Sequence, residues 1–92
     1  MQENATKASQ ILKAILHESR ILILCLLVNN EMSADELAGY SDLNQLAFSQ
    51  HLSVLRVKGL VRIRRESQTV YYSIKNENIT KILETLHSIY YE

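Results

Sequence analysis

Five of the chain's ten basic residues fall within ten consecutive positions, and no acidic residue interrupts them. They are Arg56, Lys58, Arg62, Arg64 and Arg65. Arginine and lysine side chains bind phosphate oxygens, so a cluster of this kind is typical of a surface that lies along a nucleic-acid backbone. Because ten acidic residues balance the ten basic ones, the chain has no formal net charge, and the cluster is a local asymmetry. It predicts a binding surface for phosphates.

The residues that precede this cluster suit contacts with DNA bases. The pattern from 44 to 58 predicts a helix that stops at Gly59, with a narrow buried sector formed by Phe48, Leu52 and Leu55. The opposite sector has no acidic residue and carries Gln45, Leu46, Ser49, Gln50, Ser53 and Arg56. In the major groove, glutamine can pair with adenine, serine can meet a base edge, and an apolar group can touch a thymine methyl. This face therefore predicts a DNA-recognition helix; the alternative is a neutral exposed face without a partner.

Two strands are predicted after Gly59. Apolar residues alternate with polar or aromatic ones on both sides of a polar break at 66–68, as in half-buried strands joined by a turn. We expect Arg62, Arg64 and Arg65 to contact phosphates or the minor groove beside this ribbon, with Gln68 at its turn. For each arginine taken singly, a solvated charge without a contact is an equal alternative.

Three further segments supply helices. An apolar face repeats at helical spacing near 5–17 and again near 77–91, whereas 20–28 is apolar all round and predicts a helix buried on most sides. The central core already uses the second to fourth helices. We therefore expect the apolar faces of the first and last helices to pack against a second copy of the chain; the alternative is that they complete the core of the monomer.

The centre of the chain has the signals of a helix-turn-helix. Ser33 and Glu36 have the spacing of a capping box, which starts a short helix, and Asn44 suits the start of the next one. A turn that contains Gly39 separates the two. The predicted fold is a winged helix-turn-helix, mainly α with a small β-hairpin, in a single domain over residues 1–92.

Composition sets the broad class of protein. The chain has 92 residues, of which 47 % are hydrophobic and 22 % charged, which is typical of one folded domain. The first ten residues are polar and show no signal peptide, and the longest apolar run, from 21 to 28, is well short of the ~20 residues of a membrane span. We expect a soluble cytoplasmic protein that acts at the nucleoid.

Metal and thiol chemistry have few candidate residues. The single cysteine, Cys25, excludes an intramolecular disulfide and a multi-cysteine zinc site, and His17, His51 and His87 do not have the spacing of a metal-ligand set. We therefore expect no metal and no cofactor. Leucines flank Cys25, so we predict a buried thiol with a raised pKa and low reactivity; the alternative is a redox sensor. For His51, at the border of the buried sector, a packed residue is favoured over a functional one.

Two segments carry a family resemblance. AFSQHLSVLRVKGLV, followed by RRESQTVYYSI, resembles the ArsR/SmtB winged-helix repressors, and the likeness extends from about Ile11 to Tyr90. ILKAILHESRILILCLLVNNEMS and ETLHSIYY are most similar to the branch that includes HlyU, BigR and SqrR. The resemblance implies a homodimer that binds an inverted repeat in double-stranded DNA, with the helix after Asn44 in the major groove and the wing at the minor groove. It also implies that Gln45, Leu46, Ser49 and Gln50 lie nearest the bases.

The chain departs from the family pattern at several places. The wing turn is Ser67-Gln68, where the family usually has a glycine and an arginine. Redox-responsive relatives pair a cysteine at the position of Cys25 with one at the end of the last helix, and the matching residue here is Tyr91, so the resemblance implies no such bridge. The cysteine pair and the Asp, His and Glu cluster of metal-sensing members are also absent from the sequence.

These observations favour a transcriptional regulator, either a repressor or an activator that displaces a silencing protein. The alternative is a winged-helix module that binds proteins and no longer binds DNA. An enzyme is disfavoured, because the sequence has no paired acids, no nucleophile and base at a suitable spacing, and no phosphate-binding glycine loop.

Overall fold

The computed structural model describes residues 2–90, which form five helices and three strands. In chain order these are α1 (Gln2–Ile15), α2 (Glu18–Leu26), β1 (Met32–Ser33), α3 (Ala34–Ala38), α4 (Gln45–Val57), β2 (Val61–Glu66), β3 (Thr69–Ile74) and α5 (Glu77–Tyr90). This order confirms the predicted winged helix-turn-helix. The last residue of the expected C-terminal helix, position 91, lies outside the described residues.

Local hydrogen bonds explain where the two helices of the helix-turn-helix begin. The Ser33 hydroxyl accepts from the Glu36 N–H at 3.1 Å, and the Glu36 carboxylate accepts from the Ser33 N–H at 2.9 Å. This is the predicted capping box. At the start of α4, the Asn44 side-chain oxygen accepts from the Ala47 N–H at 2.8 Å. After α4, Gly59 has a φ of 77°, a conformation that glycine adopts without a steric penalty.

The sheet is antiparallel and has the strand order β1-β3-β2. Arg64 of β2 lies opposite Tyr71 of β3, and on the other edge of β3 Ser33 of β1 lies opposite the same Tyr71. Strand β1 is absent from the sequence prediction, because two residues are too few to show an alternating pattern. Its effect is to join the wing to the segment that enters the helix-turn-helix.

The core lies between the sheet and the helices. The predicted sector of α4, Phe48, Leu52 and Leu55, is buried. It meets side chains from every other helix, and the buried set includes Ile15, Leu24, Leu27, Leu37, Leu60, Val61, Ile79 and Leu83. The core therefore fixes α4 by one side and leaves its opposite side to solvent.

The second helix is buried or half-buried on most sides, as predicted, apart from one exposed strip. Ile23 and Leu24 are buried, whereas Leu22 and Cys25 are exposed. Helix α2 packs against α1, α4 and α5, and nothing within the described residues covers its remaining side. The ends of the chain also leave apolar side chains exposed: Leu12 on α1, Leu16 directly after it, and Ile89 and Tyr90 on α5.

Candidate nucleic-acid interface

The exposed side of α4 carries the predicted base-reading residues together. Gln45, Leu46, Ser49, Gln50, Ser53 and Arg56 are all exposed. Leu46 is 71 % exposed even though it is apolar, as expected of a side chain that contacts another molecule. Val57, 81 % exposed, continues this side of the helix. It is absent from the sequence prediction, although its position seven residues after Gln50 places it on the same side of a helix.

No side chain within residues 2–90 competes for the polar groups on this surface. Among residues 2–90, the side chains of Gln45, Ser49, Gln50 and Ser53 make no hydrogen bond within the chain. The first turn of α4 contains no acidic residue, and Arg56 lies in its last turn. The surface therefore offers unpaired donors and acceptors to an outside partner without repelling phosphates.

The basic cluster divides into two groups. Within residues 2–90, both ion pairs are made by Arg64, with Glu31 and with Glu66. Arg56, Lys58, Arg62 and Arg65 are exposed and form no ion pair in the described part of the chain. Among residues 2–90, the Arg62 side chain donates to the Ser73 hydroxyl alone, at 3.4 Å. Four positive charges are therefore available to phosphates.

Arg64 is held differently from its neighbours. Its Nη2 lies 2.8 Å from a Glu31 oxygen, its Nη1 lies 2.6 Å from a Glu66 oxygen, and its guanidinium carbon lies 4.6 Å from the centre of the Tyr71 ring. The hydrogen bond from Arg64 lowers the pKa of the Glu31 carboxyl below its usual range, with the charges of Arg64 and Arg62 adding to this effect. The sequence predicts a phosphate or minor-groove contact for each of the three wing arginines, and Arg64 differs from the other two because it already has carboxylate partners.

The turn of the wing is tight and polar. Ser67 and Gln68 form a two-residue connection between β2 and β3, and both are exposed. Ser67 has a φ of 55°, and a positive φ at the first central residue alone is the pattern of a type II′ hairpin turn, where glycine is preferred. The predicted site residue Gln68 therefore sits at the outer end of the wing, beyond Arg65.

Cys25 is exposed, so the prediction that flanking leucines bury it is wrong. Successive side chains of an α-helix point about 100° apart, and burial of Leu24 therefore does not bury its neighbour. The thiol borders a shallow surface pocket lined by Glu18, Ile21, Leu22 and His87. Partial desolvation there still raises the pKa of the Cys25 thiol. Tyr91, the position at which redox-responsive relatives have their second cysteine, lies outside the described residues.

His51 packs against a second histidine at the corner between α1 and α2. The ring centroids of His17 and His51 are 4.2 Å apart, and the His17 Nδ1 accepts from the Ser19 N–H at 3.1 Å at the start of α2. Burial lowers the pKa of His51, and the nearby His17 and Arg20 lower it further. His51 therefore helps to hold the recognition helix to the body of the protein.

Neither a metal-ion site nor a membrane-spanning helix is found within residues 2–90. In the part of the chain that the structure describes, no three His, Cys, Asp or Glu side chains converge as they would around a metal ion. Among residues 2–90, no helix has the length and apolar character that a membrane crossing requires.

A polar helix of a helix-turn-helix, exposed beside a basic wing, defines a winged-helix DNA-binding protein. The family described as "Bacterial regulatory protein, arsR family" matches residues 17–62. The chain belongs to this family. It is a DNA-binding transcriptional regulator and not an enzyme, and the family favours DNA binding over the alternative of a protein-interaction module.

Individual relatives agree with this assignment. The chain is 44 % identical over 90 residues to the transcriptional activator HlyU of Vibrio cholerae, covering 98 % of this chain and 83 % of that protein. It is 33 % identical over 90 residues to the biofilm growth-associated repressor of Agrobacterium fabrum, covering 98 % and 77 %. The structure of HlyU from Vibrio cholerae superposes with a TM-score of 0.95 at 43 % identity, covering all of both chains. A homodimeric winged helix-turn-helix domain from Mycobacterium bovis superposes with a TM-score of 0.84 at 26 % identity, covering 96 % of this chain and 82 % of that one.

Proposed function

We propose that this regulator binds an operator as a homodimer, with α4 of each copy in the major groove of double-stranded DNA. The observation that carries the proposal is the exposed, acid-free side of α4, whose polar groups have no partner in the described chain. Gln45, Leu46, Ser49 and Gln50 would read base edges, since these side-chain types match the donors, acceptors and thymine methyls of the major groove.

Contacts to the DNA backbone would come from the end of α4 and from the wing. Ser53 and Arg56 lie on the same side of the helix as the base-reading residues, and Arg62, Arg65 and Gln68 extend along the hairpin. Positive side chains that flank a recognition helix fix its register on the duplex and add affinity for any sequence. Arg64 is the exception, because two carboxylates already hold it.

The terminal helices support the proposed dimer. Leu12 of α1, Leu16 directly after this helix, and Ile89 and Tyr90 of α5 are exposed, with Leu16 at 72 %. Apolar surface of this kind on the two end helices is suited to a second copy, and the related domain from Mycobacterium bovis is described as homodimeric. A twofold dimer presents two recognition helices, so its operator is expected to be an inverted repeat.

Selection of bound fragments from genomic DNA, followed by footprinting, tests the proposal. The expected site has two inverted half-sites whose centres lie about 34–36 Å apart on one face of the duplex. An asymmetric site that the monomer binds with full affinity would contradict it. The position of the selected sites also bears on the sign of regulation, because a repressor site overlaps a promoter, whereas an activator that displaces a silencing protein binds within the silenced region.

The dimer interface can be tested separately from DNA binding. Leu16→Asp places a charge on the proposed interface, and since Leu16 is exposed in the monomer the fold itself should tolerate the change. Sedimentation should show monomers, and operator binding should disappear at concentrations where the wild type is saturated. Tyr40→Asp is the matched control, because Tyr40 is also exposed but lies in the turn after α3.

We also propose that the regulator acts in the cytoplasm, at the nucleoid, and needs neither a metal ion nor a cofactor. Titration with zinc, cadmium, nickel and copper, each buffered by a weak competitor, should show no tight stoichiometric binding and no release of operator DNA. Zinc binding at micromolar or tighter affinity that disappears in His87→Ala would overturn this part of the proposal.

A further inference from the structure

Arg64 joins its own strand, β2, to the segment that precedes β1. Its Nε donates to both oxygens of Glu31, at 3.2 and 3.1 Å, and its Nη2 donates to one of them at 2.8 Å. Its Nη1 donates to Glu66 on the same strand at 2.6 Å. All three guanidinium nitrogens therefore have carboxylate partners, and a planar, forked arrangement of this kind fixes direction as well as distance.

The sheet explains why Arg64 can reach Glu31. Arg64 on β2 lies opposite Tyr71 on β3, and Tyr71 lies opposite Ser33 on β1, two residues after Glu31. The Arg64 side chain passes the Tyr71 ring, 4.6 Å from its centre, and crosses the middle strand. The bond joins residues 33 positions apart in the sequence. It therefore ties the outer strand of the wing to the segment between α2 and β1.

Glu31 belongs to the body of the protein and not to the wing. The preceding residue, Asn30, donates from its side chain to the Leu26 carbonyl at 3.2 Å and so closes the end of α2. The residue that follows Glu31 is the buried Met32, which begins β1. Glu31 thus lies between a residue bonded to the end of α2 and a buried residue of β1, and a bond to it holds Arg64 in place relative to α2.

Charge argues against a direct role for Arg64 on phosphate. Two carboxylates surround the Arg64 guanidinium, so its immediate partners already balance its positive charge. A phosphate that approached Arg64 would be repelled by Glu31 and Glu66 or would have to displace one of them. Arg65, on the opposite side of the strand, forms no ion pair within residues 2–90. The chain thus keeps two acids beside a surface proposed to meet DNA, which needs a reason other than phosphate binding.

We infer that Glu31 and Arg64 form a clasp that sets the position of the wing against the body, and that Arg64 is a positioning residue for DNA binding and not a phosphate ligand. The inference rests on the proposed function, because the wing must meet DNA for its position to matter. The clasp is exposed, and exposed ion pairs contribute little to folding stability. Its removal should therefore affect the DNA complex while leaving the fold intact.

Glu31→Gln gives a test in which the two roles of Arg64, phosphate ligand and positioning residue, predict opposite changes in DNA affinity. If Arg64 bound phosphate, removal of a neighbouring acid would free it, and binding to all DNA would tighten. With a clasp, the variant should bind the selected operator about tenfold more weakly, with an unchanged dependence on salt and little change on non-specific duplex.

Glu66→Gln is the matched control: it removes an acid from the same arginine, but Glu66 lies on β2 itself and its replacement leaves the clasp to the body in place. Its affinity should equal or exceed that of the wild type.

Arg64→Lys supplies a second, independent variant. Lysine keeps the charge that phosphate binding needs but lacks the forked donors that hold Glu31. The operator affinity of this variant should fall about as much as that of Glu31→Gln, and the double variant should be no weaker than either single one. Thermal unfolding of each variant shows whether the fold is retained.

Each result decides between the roles. Tighter binding by Glu31→Gln with a steeper salt dependence, or near-normal binding by Arg64→Lys, would overturn the clasp. Failure of the proposed function has a different signature, because Gln50→Ala and Arg65→Ala would then also leave DNA binding unchanged.

Discussion

The recognition helix and the wing present the same kinds of side chain in different states. On α4, the exposed polar groups make no hydrogen bond within the described chain, so they are available to DNA. On β2, three arginines lie within four positions, yet one is held by two carboxylates and an aromatic ring, while Arg65 has no ion pair among residues 2–90. The difference teaches that a charge cluster in a sequence is not a set of equal binding groups. One member can shape the surface that the others use.

The largest expected effect lies on α4. Gln50→Ala and Ser49→Ala should each weaken binding to the selected operator by about 1–3 kcal/mol for each base edge that the side chain reads, with little change on unrelated DNA. Discrimination between sequences should fall because base edges, unlike phosphates, differ from one sequence to another. Competition binding between operator and scrambled duplex measures this discrimination.

Gln10→Ala is the matched control, since Gln10 is an exposed glutamine on α1. If Gln50→Ala left both affinity and preference unchanged, the proposed orientation of α4 on DNA would be wrong, and the contrast between helix and wing would fail with it.

A smaller effect is expected on the wing, where Arg65 and Arg64 should behave differently. Arg65→Ala should weaken binding to all duplexes alike and reduce the slope of log affinity against log salt by about 0.9, the share of one neutralised phosphate. Arg64→Ala should weaken operator binding without changing that slope. Affinities of both variants, measured over a range of salt concentrations, show whether their slopes differ. Equal changes of slope in both variants would show that the two arginines have the same role.

Sequence patterns predicted the helix-turn-helix and the wing because their signals are local. The capping box at Ser33, the cap at Asn44 and the buried sector of α4 each depend on residues within a few positions of one another, and all are confirmed. The role of Arg64 depends on Glu31, 33 positions away, which no local pattern relates to it. The exposure of Cys25 could not be predicted for a similar reason, since it depends on which side of α2 the other helices cover.

The packing of His51 against His17 predicts a modest pH effect on stability. Burial, followed by the charges of His17 and Arg20, lowers the pKa of His51 in the folded protein. The unfolded chain then takes up a proton more readily, so stability should decrease as the pH falls through about 6.5, the ordinary value for histidine, towards the lower folded-state pKa.

Thermal unfolding of the wild type and His51→Asn at about pH 8 and about pH 5.5 checks this linkage. The stability of the variant should decrease less between the two conditions than that of the wild type. An equal decrease would show that groups other than His51 govern the response to acid, and that the packing of His51 is not linked to protonation.

The smallest effect is expected at Cys25, which belongs to neither the recognition helix nor the wing. Cys25→Ala should retain operator binding. Because desolvation raises the pKa of the thiol, alkylation should be slow at neutral pH and should accelerate above about pH 8.5, the ordinary thiol value. Intact mass and operator affinity, measured before and after mild peroxide or polysulfide, check both points. Rapid modification that abolishes binding, absent in the alanine variant, would show that a single exposed cysteine suffices as a sensor.

Operator duplexes in which single purines are replaced by their 7-deaza analogues test the central claim most directly. The replacement removes N7, an acceptor in the major groove, and leaves the phosphates and the minor groove unchanged. If α4 reads the major groove, the affinity of the wild type should fall at one or more positions in each half-site, symmetrically about the centre, and Gln50→Ala should be indifferent at the position that Gln50 reads. Unchanged binding at every substituted purine, or equal decreases in the wild type and Gln50→Ala at all positions, would contradict the account.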